Sequence, residues 1–326
     1  MAKFGIPYMG SKDKVAHSIA LNFPKADHFY DLFGGGFSMT HYMLVNRSKH
    51  YKHFHFNEIE PSTVQLIKDA IAGKYNYKVF KPEFVTREMF FKRIKEAYIR
   101  ICWSFGNDQK TYMFSKDIEP YKHSMHNAVV FNKFNELATK TLGFDSWPKN
   151  VNTIYKKRLY LGQKIEWYRV KNRLPKCLHK FLPVKQQETL NRLRQLPQLE
   201  QLRGLQQLQQ VERLQQLQQL ERLERLPYNL TMTSLDYRQV EIKPNSIVYC
   251  DIPYENTGSY LGSFNHKDFH NWAASRDFPV YISEYKIKDP RFKLIYTIDK
   301  RGIFSGRANN LCQEKLYWNG VHAKLN

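Results

Sequence analysis

A chain of 326 residues in which Lys and Arg outnumber Asp and Glu by 51 to 30 is too long for a mini-protein and carries a formal charge of +21. Its 22 Phe, 21 Tyr and 5 Trp interleave with those cations, which suits a polyanionic partner with bases or sugars beside it, although a plain basic surface has the same composition. Cys102, Cys177, Cys250 and Cys312 lack any C-x-x-C pairing, and there is neither a signal-peptide core nor an apolar run of about 20 residues, so the expectation is a soluble cytoplasmic protein with reduced cysteines, no metal site and no membrane span.

In chain order, His28-Phe29-Tyr30 reads as a strand running into Asp31-Leu32-Phe33-Gly34-Gly35-Gly36, followed by a helix over Ser38 to Val45. His53 to Phe56 alternates as a second strand toward Asn57-Glu58-Ile59-Glu60-Pro61, and Ser62 to Ala72 resumes a helical pattern that ends at Gly73. Successive βα units imply a parallel sheet. From about Val85 the texture turns charged and aromatic: a helix over Arg87 to Ile101, a polar loop around Ser104 to Lys122, and a basic section from Lys156 to Lys180. We read this as a separate, mostly helical domain inserted between sheet strands. Strand character returns at Leu230 to Leu235, Ile247 to Cys250 and Val280 to Ser283, with Phe292 to Ile298 and Lys315 to Trp318 placed to close the sheet as a hairpin. The division is therefore residues 1–80 and 228–326 for the two parts of one sheet domain, 81–189 for the insert, and 190–227 for a repetitive tract.

In that tract every third residue from Leu190 to Leu226 is Leu, apart from Val211, among Gln, Arg and Glu. On an α-helix a step of three lags by roughly 60° per repeat and leaves no fixed apolar face. A three-residue coil fits the period better, whereas the helix propensity of these residues argues the other way. Functionally the tract reads as a spacer or a surface for a protein partner or self-association; an expansion of repetitive DNA at a tolerant loop explains it as well.

Asp251-Ile252-Pro253-Tyr254 follows the apolar run Ile247 to Cys250, so an acid, a rigid proline and an aromatic sit at a strand's carboxyl tip, where open α/β sheets bind ligands. Asp251 can accept hydrogen bonds and Tyr254 can stack, which suits a nucleobase amine. The glycine loop matches neither a dinucleotide fingerprint nor a P-loop, and a tight strand-to-helix turn accounts for it as readily as cofactor binding. An acid ending the next strand is placed for ribose hydroxyls. Glu58 and Glu60 both qualify, and either could instead cap the following helix.

Taken in order, Tyr8-Met9-Gly10-Ser11-Lys12, Asp31 to Gly36, Asn57-Glu58-Ile59, Leu235-Asp236-Tyr237, Asp251 to Tyr254 and Tyr281-Ile282-Ser283 give the chain a resemblance to the Dam-like adenine-N6 DNA methyltransferases, covering most of it outside the leucine tract. The resemblance implies an α/β fold with a Rossmann-like methyltransferase sheet, mainly parallel with a C-terminal antiparallel hairpin, and an inserted target-recognition domain. It implies that Tyr8, Lys12, Asp31, Phe33, Gly34, Gly35, Gly36, Glu58, Asp236 and Tyr237 surround S-adenosylmethionine, with Asp31 at the methionine end, Glu58 at the ribose and Asp236 at the adenine; Lys12 would also reach the DNA target. Asp251, Ile252, Pro253 and Tyr254 would be catalytic, the Asp251 carboxylate and the Ile252 carbonyl accepting from the amine of an adenine flipped out of double-stranded DNA, with Tyr254 stacked on its ring. Within the insert Lys12's counterparts in DNA contact are Arg100, Ser104, Asn107, Lys110, Lys116 and Lys122, most cations touching phosphate and Ser104 to Asn107 offering a reading loop, although a solvated helical face and a capping turn fit the same residues. The chain departs from the family at Ile252, usually proline, and at Phe37, often glycine. Those departures leave open a catalytically impaired cofactor- and DNA-binding protein, and a cytosine-N4 or RNA methyltransferase is a further alternative.

Overall fold

The computed structural model describes residues 4–76, 80–161, 220, 223–224, 226, 229–255, 264–301 and 311–322. A seven-stranded sheet is built from β1 (His28–Asp31), β2 (His53–Asn57), β3 (Leu230–Thr233), β4 (Ser246–Cys250), β5 (Val280–Glu284), β6 (Lys293–Arg301) and β7 (Leu311–Trp318), in the order β3-β2-β1-β4-β5-β7-β6. The first five strands in that order are parallel, and β7 pairs antiparallel with both β5 and β6. The expected mainly parallel sheet and closing hairpin are both present.

Strands β4 and β5 are buried along their whole lengths because both faces of the sheet are covered. Phe29, Phe54, Ile247, Tyr249 and Tyr281 face one core, shared with Ala16 and Ile19 of helix α1 (Ala16–Ala20), Met39 and Met43 of α2 (Ser38–Asn46), and Val64 and Ile67 of α3 (Pro61–Ile71). The alternate residues Tyr30, Val248, Cys250, Val280 and Ile282 face the other. From β1 the chain steps outward to β2 and β3, whereas from β4 it steps the opposite way to β5, so the order reverses between β1 and β4. Asp31 pairs with Tyr249 at that crevice, which places the tips of both strands where a parallel sheet binds its ligands.

Between β2 and β3 lie α4 (Arg87–Lys92), α5 (Ala97–Cys102), α6 (Glu119–Phe131) and α7 (Glu136–Leu142). The single helix expected over Arg87 to Ile101 is broken at Arg93, whose guanidinium turns the corner by pairing with Glu83 and Glu96. A straight helix would set Ile99 opposite Phe90 and Ala97, about 180° round the cylinder, and the corner lets all three be buried. Lys122, expected in a loop, lies within α6. The leucine tract, apart from Leu220, Leu223, Glu224 and Leu226, falls outside the described residues, as do Cys177 and the basic residues from Lys164 to Lys180. Leu220 and Leu223 are buried in the core that also holds α3, and the Glu224 carboxylate accepts from Asn76 at 2.7 Å. No helix among the described residues is long and apolar enough to cross a membrane.

Candidate functional site

At the tip of β1, Asp31 is 1% exposed. Its Oδ2 accepts from Thr40 Oγ1 at 2.7 Å, while Oδ1 is buried with no hydrogen-bond partner among the described residues. Burial, reinforced by the nearby charges of Asp251 and Glu58 and opposed by the Thr40 hydrogen bond, pushes its pKa up to about 7. A buried carboxylate oxygen is costly until a donor meets it.

The glycine loop after β1 is shaped by close contacts. A side chain at Gly34 would collide with the Phe56 ring at 2.0 Å, and one at Gly36 with the Tyr8 Cβ at 2.3 Å, so both positions exclude larger residues. Tyr8 thus packs over the loop, and Ile6 N–H reaches the Gly36 carbonyl at 2.8 Å. The loop ends on Phe37, which adopts left-handed geometry (φ 67°, ψ 11°) that a bulky residue rarely takes. Its ring is fully buried, edge-on to Phe56 at 5.1 Å and stacked near His41 at 6.1 Å, and that packing holds the strained backbone. Replacement of Phe37 by either Gly or Ala removes the ring and destabilises by about 3 kcal/mol or more. Only Gly relieves the left-handed strain, so Phe37→Gly should be the more stable of the two by about 1 kcal/mol, the reverse of their usual order, as thermal melts of both variants will show.

Beyond β2 the two acidic candidates separate. Glu60 caps α3, its carboxylate accepting from Ser62 N–H at 3.4 Å and Ser62 Oγ at 2.8 Å. Glu58, 8% exposed, turns back to the glycine loop and accepts from Gly35 N–H at 2.9 Å and Glu60 N–H at 3.1 Å. Burial raises its pKa against those two hydrogen bonds. Beside it Asn57 latches three strand ends together: Nδ2 donates to the carbonyls of Leu32 and Leu235 at 3.1 and 2.9 Å, and Oδ1 accepts from Leu235 N–H at 3.0 Å and Thr233 Oγ1 at 2.9 Å. This latch carries the Asp236-Tyr237 turn to the crevice. Asp236 is held in two places by Arg238, at 2.8 Å each, and those hydrogen bonds lower its pKa. Tyr237 stands 5.3 Å from Phe33, and Phe264 packs on the Phe33 edge at 5.6 Å.

The tetrapeptide is anchored from all sides. Ile252, where proline is expected, is fully buried in the cluster of Leu32, Val248 and Phe269. The Pro253 carbonyl accepts from His266 Nε2 at 2.7 Å, at the start of α8 (His266–Ala274). Glu284, at the tip of β5 and 2% exposed, accepts from Tyr285 N–H at 2.7 Å and Glu255 N–H at 3.3 Å. Burial pushes the Glu284 pKa up to about 7 despite those N–H groups. The Tyr285 ring meets Tyr254 edge-on at 4.5 Å.

Lys12 links this segment to the N-terminal one. Its N–H donates to Ser38 Oγ at 3.0 Å, and its Nζ lies 2.7 Å from Asp251 Oδ2, 3.1 Å from Glu314 Oε1 and 5.0 Å from the Tyr254 ring centre. Burial works to lower the Lys12 pKa, but the charges of Asp251 and Glu314 outweigh it and hold the ammonium above its ordinary range. The side chain of Lys12 is 5% exposed and that of Asp251 20%, so the carboxylate faces the opening and the cation lies behind it.

The insert residues divide differently. Lys110 and Lys116 are exposed. Arg100 is not: its guanidinium is turned inward to Gln109 at 2.9 Å and to Ser62 Oγ at 3.0 Å, fastening α5 to α3. Lys122 is 7% exposed, with its ammonium 5.8 Å from the Phe114 ring centre. Ser104 Oγ accepts from Gln109 N–H at 3.0 Å and Asn107 Nδ2 donates to the Ile101 carbonyl at 3.0 Å, so both side chains stiffen a loop whose base is the Ser104–Tyr112 bridge. Next to that base Phe105, whose N–H reaches the Thr111 carbonyl at 2.8 Å, is 59% exposed.

The motifs expected from sequence therefore bring Tyr8, Lys12, Asp31, Phe33, Gly34 to Gly36, Glu58, Tyr237 and Asp251 to Tyr254 to one crevice. Glu314, Glu284, His266 and Thr40 belong to it as well and were missed. Glu284 had a signal, an acid at the tip of a buried strand, whereas Glu314 lies within a strand and has none.

A mainly parallel sheet of this order, with acids at the tips of β1, β2 and β4, fits a methyltransferase of the Rossmann-like type. A family model described as D12 class N6 adenine-specific DNA methyltransferase matches residues 8–173, half of the chain. The chain belongs to that family, and its reaction is methyl transfer to the N6 amine of adenine in DNA. A search of curated proteins returns no match.

Proposed function

We propose that S-adenosylmethionine lies along the crevice against Asp31, the loop from Phe33 to Gly36, Glu58 and the Asp236-Tyr237 turn, and that adenine from double-stranded DNA enters flipped between Asp251 and Tyr254. The observation that carries the reading is Asp31 Oδ1, a buried acceptor one strand from Asp251 with no hydrogen-bond partner among the described residues. A cofactor with an ammonium group supplies the missing donor, so the residues fit the group. The charge distribution supports the same assignment: a chain of net +21 gathers Asp31, Glu58, Asp251, Glu284 and Glu314 around the crevice, which suits a cationic cofactor inside and a polyanion outside.

S-adenosylmethionine supplies an electrophilic methyl group. The amine of adenine is a weak nucleophile because its lone pair is delocalised into the ring. Asp251 and the Ile252 carbonyl accept from its two N–H groups and favour a more tetrahedral nitrogen, and Tyr254 fixes the ring plane. Asp251 then receives the proton released on transfer. The 81–189 segment is the recognition domain in this reading, with Lys110 and Lys116 offered to phosphate and Arg100, Lys122, Ser104 and Asn107 shaping the surface that presents them.

Purified protein should transfer labelled methyl from S-adenosylmethionine to duplex DNA from a methylation-free host, yielding N6-methyladenine at one sequence by modified-base sequencing. Protein that binds both substrates and methylates no adenine overturns the reading. Cofactor affinity should also follow Asp31. Its raised pKa leaves it largely protonated at pH 6, and an ammonium ligand prefers the carboxylate, so binding should tighten by about tenfold from pH 6 to 8, with proton release below about pH 7. Calorimetry in buffers of different ionisation enthalpy measures both, and a pH-independent affinity would place the ammonium elsewhere.

A further inference from the structure

Glu314 lies on β7, outside every motif that marks the site, and is 1% exposed. Its Oε1 accepts from the Tyr254 hydroxyl at 2.9 Å and lies 3.1 Å from Lys12 Nζ, the same ammonium that reaches Asp251 at 2.7 Å. We propose that Glu314 is a positioning residue for methyl transfer: it fixes the Tyr254 ring and keeps Lys12 partnered when the adenine amine takes Lys12's place on Asp251. The inference rests on the proposed roles of Asp251 and Tyr254.

Lys12 and the adenine amine compete for Asp251. The lysine ammonium and the adenine amine are both donors, and Asp251 Oδ2 is already engaged by Lys12. Drawing Lys12 off Asp251 would strand a buried cation if no other carboxylate stood within reach, and stranding a buried charge is far more costly than exchanging one partner for another. Glu314 makes it an exchange. Because the same oxygen receives the Tyr254 hydroxyl, the stacking wall and the acceptor are joined through Glu314 and Lys12. Tyr285 packs on the edge of the Tyr254 ring, and Glu284 holds the N–H groups of Glu255 and Tyr285.

The test compares Glu314→Gln, Tyr254→Phe and the double variant, using S-adenosylmethionine and a duplex carrying the sequence that the wild-type protein methylates. Gln keeps the reach and an acceptor but not the charge, and Phe keeps the ring but not the hydroxyl. Glu314→Gln should lower kcat about tenfold with KM for DNA and for cofactor within about twofold, the loss expected of one charge-assisted hydrogen bond used in the reacting complex. Tyr254→Phe should lower kcat by less, and the double variant should fall short of the product of the two single losses because they share one bond. Wild-type kcat in Glu314→Gln, or a kcat loss matched by equal losses in cofactor affinity and melting temperature, overturns the inference while the wild-type reaction stands. If Glu314→Gln fails to fold, Tyr254→Phe decides alone, and an unchanged kcat there overturns it too. Absence of methyl transfer by the wild-type protein removes the underlying reading instead.

Discussion

Asp251→Asn should slow methyl transfer to DNA by about a thousandfold, within the range that a positioned acid–base group contributes, and leave the folded protein and its cofactor affinity nearly intact. Asn keeps the size of the side chain and one acceptor oxygen, but an amide neither draws charge from the adenine amine as a carboxylate does nor takes up the released proton. The fold should tolerate the change because Lys12 retains Glu314 at 3.1 Å, and because Ile252, His266 and Glu284 anchor the rest of the segment independently. Cofactor binding should persist because Asp31, Glu58 and the glycine loop are untouched. Single-turnover methyl transfer beside cofactor calorimetry separates these effects. Substantial residual turnover in Asp251→Asn would move the acceptor role elsewhere, whereas a parallel loss of cofactor affinity would assign Asp251 to that site.

What the sequence discloses is what is local. The strands before Asp31 and before Asp251 are short runs of apolar residues ending in an acid and a turn, and both acids stand at the β1–β4 crevice because the chain reverses its stepping direction there. Glu58 and Glu60 look alike in sequence. They differ in the structure because a helix beginning at Pro61 needs a cap, and Glu60 is the residue placed to provide it. Arg100 and Lys122 were expected at DNA because they are cations of an insert that resembles a target-recognition domain, but charge carries no information about burial: Arg100 sits on the face of α5 that meets α3, and Lys122 on the buried face of α6. Glu314 was hidden for a different reason. Its partners lie roughly 300 and 60 positions away in the chain and meet it only through the register of β7 against β5, a property of the assembled sheet. Phe37 shows the same limit at short range, since nothing in its neighbours announces a left-handed aromatic.

Lys12→Met should be the most damaging single change to stability among these residues, because it leaves the buried Glu314 and the half-buried Asp251 without the cation that pairs with both. Breaking a buried pair by removing one partner costs about 3–5 kcal/mol, which for a protein of this size lowers the melting temperature by roughly 10 °C. The pH dependence identifies the cause. In the wild-type protein the Lys12 pKa is held above its ordinary value, so its contribution is fully present below about pH 10 and constant across the accessible range. In the variant the two carboxylates, close together and without the lysine charge, have raised folded-state pKa values, so its stability is highest at acid pH, where they are protonated in folded and unfolded chains alike, and falls as pH rises through those values. The gap to wild type should therefore be narrow near pH 5 and widest near pH 8. Activity should run the other way. A protonated Asp251 cannot accept from the adenine amine, so methyl transfer by Lys12→Met should be weakest at low pH and recover in part as Asp251 ionises. Thermal melts and initial rates over the same pH series test both trends, and a stability gap that does not vary with pH would mean that Lys12 contributes through packing rather than charge.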